Sequence, residues 1–110
     1  MKIYDAPALA AAAVAARADR PATALIHDVA DARVLLFRLD PGQEVPAHTS
    51  ASTVLLTVIS GVGIVIGADG ERRVKQGDLV AFGENEPHGM KAAEERFVIA
   101  AVIAPRPATR

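Results

Sequence analysis

The residues of this chain best suited to chemistry are two histidines, His48 and His88. The first lies in Gly42-Gln43-Glu44-Val45-Pro46-Ala47-His48-Thr49-Ser50, the second in Gly77-Asp78-Leu79-Val80-Ala81-Phe82-Gly83-Glu84-Asn85-Glu86-Pro87-His88. Each follows the same approach: a glycine turn, a short strand or loop, a proline, then the imidazole. An imidazole titrates close to working pH, so either ring can serve as a general base. Brought together at the mouth of a barrel, the two rings could instead share an ion about 2.0–2.1 Å from each Nε2. Catalytic metal sites usually carry three protein ligands, and the spacing supplies two. The alternative is two unrelated histidines, each satisfied by a backbone carbonyl.

Other donors are few. Side chains alternate along a strand, so His48 and Ser50 share a face. Glu86, His88 and Met90 share one if their segment is extended. Glu86 would then lie about 6.6 Å from His88 along the strand. Glu44 lies about 13 Å from His48 unless the chain folds back at Pro46. His27 falls on an early strand and reads as a surface or subunit-contact residue. Thr53 and Thr57 read as packing residues, Asp78 and Glu84 as turn residues, and Arg72, Arg73 and Lys75 as a solvated strand. Gly61-Val62-Gly63 with Gly67 has the wrong spacing for a dinucleotide loop, and no helix follows it.

These residues must be placed by strands. Residues 5–18 read as a helix, with Asp5 as N-cap, Pro7 in the first turn and alanines of high helix propensity behind them. Ile3 and Tyr4 could form a strand before it. From Ala22 the period changes to that of strands. The strands read as 24–27, 34–39, 53–59, 62–66, 72–75, 79–82, 88–91 and 96–103. Turns fall at Asp40-Pro41-Gly42, Ser60-Gly61, Asp69-Gly70 and Gln76-Gly77-Asp78. Residues 53–59 are nearly all aliphatic or β-branched, which predicts burial on both faces. Short strands with turns every 6 to 12 residues specify an all-β barrel or sandwich. The expected organisation is an N-terminal strand/helix segment (1–21), a barrel (22–104) and a loose tail (105–110).

Composition narrows the function. One hundred and ten residues make one domain. Twelve basic and thirteen acidic residues, with only 4% aromatics, give no electrostatic or stacking case for nucleic acid or an anionic membrane. The chain has no cysteine, which removes disulfides, thiol catalysis and thiolate metal sites. No apolar stretch reaches the roughly 18 residues of a membrane span. The alanine run after Lys2 makes a poor signal peptide, because Asp5 and Pro7 occupy its basic region. A cytoplasmic location is the expectation.

Residues 40–104 resemble a small single-domain cupin of the RmlC-like type. In the first motif of that family Gly42, His48 and Gly61 match; the second metal histidine falls on Ser50 and the glutamate on Val54. In the second motif Gly77 and His88 match, while the proline, internal glycine and asparagine fall on Gly83, Asn85 and Ala92. The resemblance implies a double-stranded β-helix (a jelly-roll barrel) and a homodimer. It also implies a divalent transition metal (Zn, Fe, Ni or Mn) held by three histidines and a glutamate. With Ser50 and Val54 at two of those positions, the expected metal site, His48 and His88, is weak or absent. The cofactor-free cupins similar to sugar epimerases pair histidine with tyrosine, but the lone tyrosine here, Tyr4, lies outside the match. The expected function is therefore a barrel that binds a small organic ligand, with His48 and His88 as its polar end and Ser50, Val54, Glu86 and Met90 around it. Two alternatives stand beside it: a metal-dependent dioxygenase, isomerase or lyase with water or Glu86 completing the shell, and a scaffold or sensor without catalysis.

Overall fold

The structure, a computed structural model, describes residues 1–107. It contains one short helix, α1 (Ala6–Ala12), and nine strands: β1 (Ala22–Val29), β2 (Ala32–Leu39), β3 (Glu44–His48), β4 (Thr53–Ser60), β5 (Val62–Gly67), β6 (Gly70–Lys75), β7 (Leu79–Phe82), β8 (His88–Ala92) and β9 (Phe97–Ala104). The strands form two antiparallel sheets. One has five strands in the order β1-β2-β9-β4-β7, the other four in the order β3-β8-β5-β6. The fold is thus all-β, as the turn spacing and strand patterns specify, and its two sheets form the double-stranded β-helix that the resemblance implies.

The core lies between the sheets. Val54, Leu56 and Val58 of β4 lie beside Phe97, Ile99 and Ala101 of the neighbouring β9 and cluster with Leu39, Val65, Val74, Phe82 and Met90 from the other elements. Phe97, Leu39 and Ile99 are fully buried. Close packing here depends on a missing side chain: a Cβ on Gly63 would stand 2.4 Å from the Phe97 ring. Gly61, between β4 and β5, is required twice over. Its φ is +81°, and any Cβ would collide with the Arg96 carbonyl.

Strand β4 corrects the expectation of burial on both faces. Its burial alternates, with Val54, Leu56 and Val58 inward and Thr53 and Leu55 exposed. The helix explains why. It covers only part of the outer face of the large sheet, where Ala10 packs with Leu36 and Val98 and with the half-buried Leu9, Ile26 and Ile59. Leu55 lies beyond that cover.

The helix is also shorter than the alanine run predicts. Asp5 caps it as expected, accepting the Ala8 N–H at 3.0 Å. It ends at Ala12 because Ala13 is extended and Arg38, reaching up from β2, collects the carbonyls of Ala10, Ala11 and Ala13 at 2.8–3.0 Å. Alanine propensity alone cannot sustain a helix this short against a tertiary competitor for its last carbonyls. Ile3 and Tyr4 form no strand and are exposed.

The start of the C-terminal tail is tied down. The Ser52 hydroxyl donates to the Pro105 carbonyl at 2.7 Å, the Arg106 N–H donates to the Ala30 carbonyl, and the Arg106 side chain pairs with Asp28. The remainder of the expected loose segment, residues 108–110, lies outside the described residues. Among the described residues no helix is long and apolar enough to cross a membrane.

Candidate functional site

Strands β3 and β8 bring the two histidines together. Val45 pairs with Met90 and His48 pairs with His88. Three steps along β3 therefore match two along β8, which is a β-bulge. Pro46, which has no N–H to give a ladder, sits inside it. In an unbroken strand Val45 and His48 would face opposite ways. The bulge turns both inward, so that both line one cavity.

A missing side chain again allows the approach. A Cβ on Gly89, in the middle of β8, would lie 2.8 Å from both the Ala47 nitrogen and the Val45 oxygen. Below about 3 Å that contact cannot be accommodated without moving β3. Gly89 thus sets the strand separation at which His48 reaches His88. The loops that follow and precede the two strands are joined as well, through the Asn85 N–H donated to the Ser50 carbonyl at 2.6 Å.

The two ring centres are 4.3 Å apart, with planes inclined at 61°. The Phe82 ring also lies near His88, with centres 5.5 Å apart. His88 is buried and His48 is exposed at the mouth. Each ring is fixed in the same way. His48 Nδ1 is 3.0 Å from the Pro46 carbonyl, and His88 Nδ1 is 3.0 Å from the Glu86 carbonyl. A carbonyl has no proton to give, so each Nδ1 carries the hydrogen and donates. In the neutral ring this leaves Nε2 with its lone pair, the tautomer that binds a proton or a metal. The repeated Pro-and-histidine approach in the sequence thus ends in two imidazoles prepared alike.

The cavity they close measures about 60 Å³ and is otherwise almost wholly apolar. Val54, Leu56 and Met90 line it, together with Phe37, Val45, Ala101 and Ile103. A larger groove of about 460 Å³ opens beside it between the N-terminal segment and β3, and shares Phe37 and Val45 with it.

Of the pocket residues expected from the sequence, the structure places Val54 and Met90 on the cavity wall and Ser50 and Glu86 off it. Strand β3 ends at His48, so the parity that linked His48 to Ser50 stops there. Ser50 instead lines a separate depression with Ser52 and Pro105. Glu86 lies in the turn before β8, where Asn85 has a positive φ of 61°. Its carboxylate accepts the Gly83 N–H at 3.2 Å on the outer side. Among other candidates, Glu44 lines the groove, and His27 is exposed on β1 at the sheet edge. Sequence reading missed Phe37, Leu56, Ala101 and Ile103 as lining residues. Their inward parity was legible, but which inward residues border a void depends on packing.

A metal set of three histidines and a glutamate does not fit these residues. Among the described residues no three His, Cys, Asp or Glu side chains come together to hold a metal. Val54, at the position of the expected carboxylate, offers only carbon.

Two antiparallel sheets, with a histidine from each of two paired strands meeting at the cavity mouth, define a double-stranded β-helix barrel. Residues 35–103 match the family model described as "Cupin domain", and the chain belongs to that family, Cupin_2. No curated protein matches the chain. Similar solved structures include an uncharacterized conserved protein with a double-stranded β-helix domain from Klebsiella pneumoniae, 24% identical, with a TM-score of 0.84 over 99% of this chain and 94% of that one. An RmlC-like cupin protein from Desulfovibrio desulfuricans is 24% identical, with a TM-score of 0.80 over 96% of this chain and 97% of that one. The DMSP lyase DddQ from Ruegeria pomeroyi is 17% identical, with a TM-score of 0.73 over 84% of this chain and 50% of that one. At these identities the likeness is one of fold.

Proposed function

We propose that this cupin barrel binds a small organic ligand whose polar group sits against the His48 and His88 imidazoles. The observation that carries this reading is the pair of Nε2 atoms left open beside an apolar cavity while both Nδ1 atoms are committed to carbonyls. Ligand sites are mostly apolar, with a few placed polar groups to orient the guest, and that is the composition of this wall. Volume decides how the guest lies. About 60 Å³ accommodates a few water-sized groups, which is too little for an organic molecule. The body of the ligand therefore extends past Phe37 and Val45 into the 460 Å³ groove, and only its polar end enters the cavity. An imidazole can donate to or accept from that end, or move a proton to it.

The test is NMR of isotopically labelled protein titrated with short aliphatic and aromatic monocarboxylic acids as probes. The expected result is a saturable shift of the His48 and His88 ring signals and of the Val54 and Met90 methyls. Binding should be lost in the His48→Ala, His88→Ala double variant. Saturable binding that survives in that variant, or shifts confined to the outer surface, would overturn the reading.

A further inference from the structure

We infer that the outer face of the five-stranded sheet, beyond the edge of α1, is where a second copy of this chain docks. The small-ligand reading plays no part in this. The strand register places Val34, Val102, Leu55 and Ala81 in one row across β2, β9, β4 and β7. The next row runs from Leu36, under the helix, through Ala100 and Thr57 to Leu79. Leu79 is 75% exposed and Leu55 43%. Among the described residues no Asp, Glu, Lys or Arg stands on the outward positions of β4, β7 or β9. On β2 the charged outward residue, Arg38, is committed to the carbonyls at the end of α1. The outer face of an antiparallel sheet is ordinarily either packed or solvated by polar side chains. This one is apolar, and the helix leaves most of it open.

Size and relief select the occupant. Four strands about 4.8 Å apart and three rows about 6.7 Å apart give a footprint of roughly 400 Å² before side-chain relief is counted. An apolar patch of a few hundred Å² already marks a contact surface, and relief brings this one toward the about 800 Å² per partner of a standard interface. Without charges the face has nothing to select a partner of opposite sign. It does match itself. Leu55 and Leu79 project from it while Ala81 and Ala100 recede, so a twofold axis can set the leucines of one copy into the hollows of the other. The packing height fits as well. Stacked sheets lie about 10 Å apart, close to the width of a helix, so the partner's sheet continues the layer that α1 begins. A homodimer is what the family resemblance implies; the surface that makes it follows from this face.

The experiment is sedimentation velocity on the whole protein from about 1 μM to 1 mM, the range that brackets an interface of this size. The expected result is a reversible passage from one chain mass to two. Leu55→Lys with Leu79→Lys should hold the chain at one mass throughout, with an unchanged circular dichroism spectrum. Leu79→Lys alone, at a position too exposed to disturb the core, should weaken association at least tenfold. Isotope-filtered NOE spectra should show contacts between chains from the Leu79 and Val102 methyls. The free edge of β1 supplies the control. Leu25 is 61% exposed there and pairs with Leu35, on the opposite side of the sheet. Leu25→Lys blocks strand addition at that edge and should leave the dimer intact. A single chain mass at every concentration, species larger than two chains, a dimer that survives the Leu55→Lys, Leu79→Lys pair, or one that Leu25→Lys disrupts would each overturn the proposal. The monocarboxylate titration is read separately. The cavity is lined by the inward residues of β4 and β9, so these outward changes should leave it unaltered.

Discussion

His48 and His88 face each other across the β3–β8 ladder at 4.3 Å between ring centres, and each donates Nδ1–H to the carbonyl two residues before it. The symmetry is local: the same short backbone device fixes both rings, once on an exposed strand end and once in the core. The arrangement rests on how closely the two strands approach.

Gly89→Ala tests that approach. The added methyl would meet the β3 backbone at 2.8 Å, and backbone yields less readily than a side-chain tip. The expected cost is about 1–3 kcal/mol of stability, in the range of overpacked cores. The distinguishing result is loss of cross-peaks between the two imidazole rings in NOE spectra, with the β4–β9 cross-peaks retained.

Val54→Glu tests the reading of the wall. The carboxylate would be placed on the cavity surface opposite two imidazoles. Without metal the variant should be destabilised by several kcal/mol as a buried charge or buried acid. Added Zn(II) should recover a large part of the loss, visible as a rise in Tm that the parent does not show. Ser50→His, by contrast, should leave metal affinity unchanged, because residue 50 lies off the cavity.

Arg38→Met tests what ends α1. The methionine retains much of the apolar stem but gives no proton to the carbonyls of Ala10, Ala11 and Ala13. The buried Arg38 Nε has no partner, so removing it offsets part of the loss. A net destabilisation of about 1 kcal/mol is expected. Urea denaturation measures it, and faster tryptic cleavage at Arg17 and Arg20 would locate it.

Acid sensitivity has a specified sign. The backbone N–H of Lys75, then its side chain, hold the Asp78 carboxyl below its ordinary range. The Arg73 side chain does the same for Glu94. A carboxylate whose pKa is lower in the folded state adds stability above its unfolded value of about 4, and loses it as pH falls through the folded value. Plots of Tm against pH should therefore converge for the parent and an Asp78→Asn, Glu94→Gln variant under acid conditions. The parent should be the more stable near neutrality.

The architecture was legible because turn chemistry and strand periodicity agree along the chain. Gly42, Gly61 and Gly77 all adopt positive φ where the turn signals fall. Met90 was legible as a cavity residue because β8 runs regularly on from His88, and Val54 because the family motif places its glutamate there. Ser50 and Glu86 were not, for one reason on each side. Parity arguments hold only while a strand continues, and β3 stops at His48 while the chain before His88 is a turn containing a left-handed asparagine. The alanine helix misled in length because propensity is local, whereas its last turn is decided by an arginine 25 to 28 residues away. Burial of β4 on both sides could not be judged from its own residues either, since the extent of the covering helix decides it.

The irregularity at Pro46 has an evolutionary reading. One extra residue between Val45 and His48 chooses which side of the wall receives the imidazole, and none of the buried side chains between the sheets takes part in that choice. Loss of a single codon there would turn the ring away from the cavity it now lines and leave the rest of the barrel intact. A change of length at one rim thus reorients a cavity residue without repacking the interior that keeps the barrel folded.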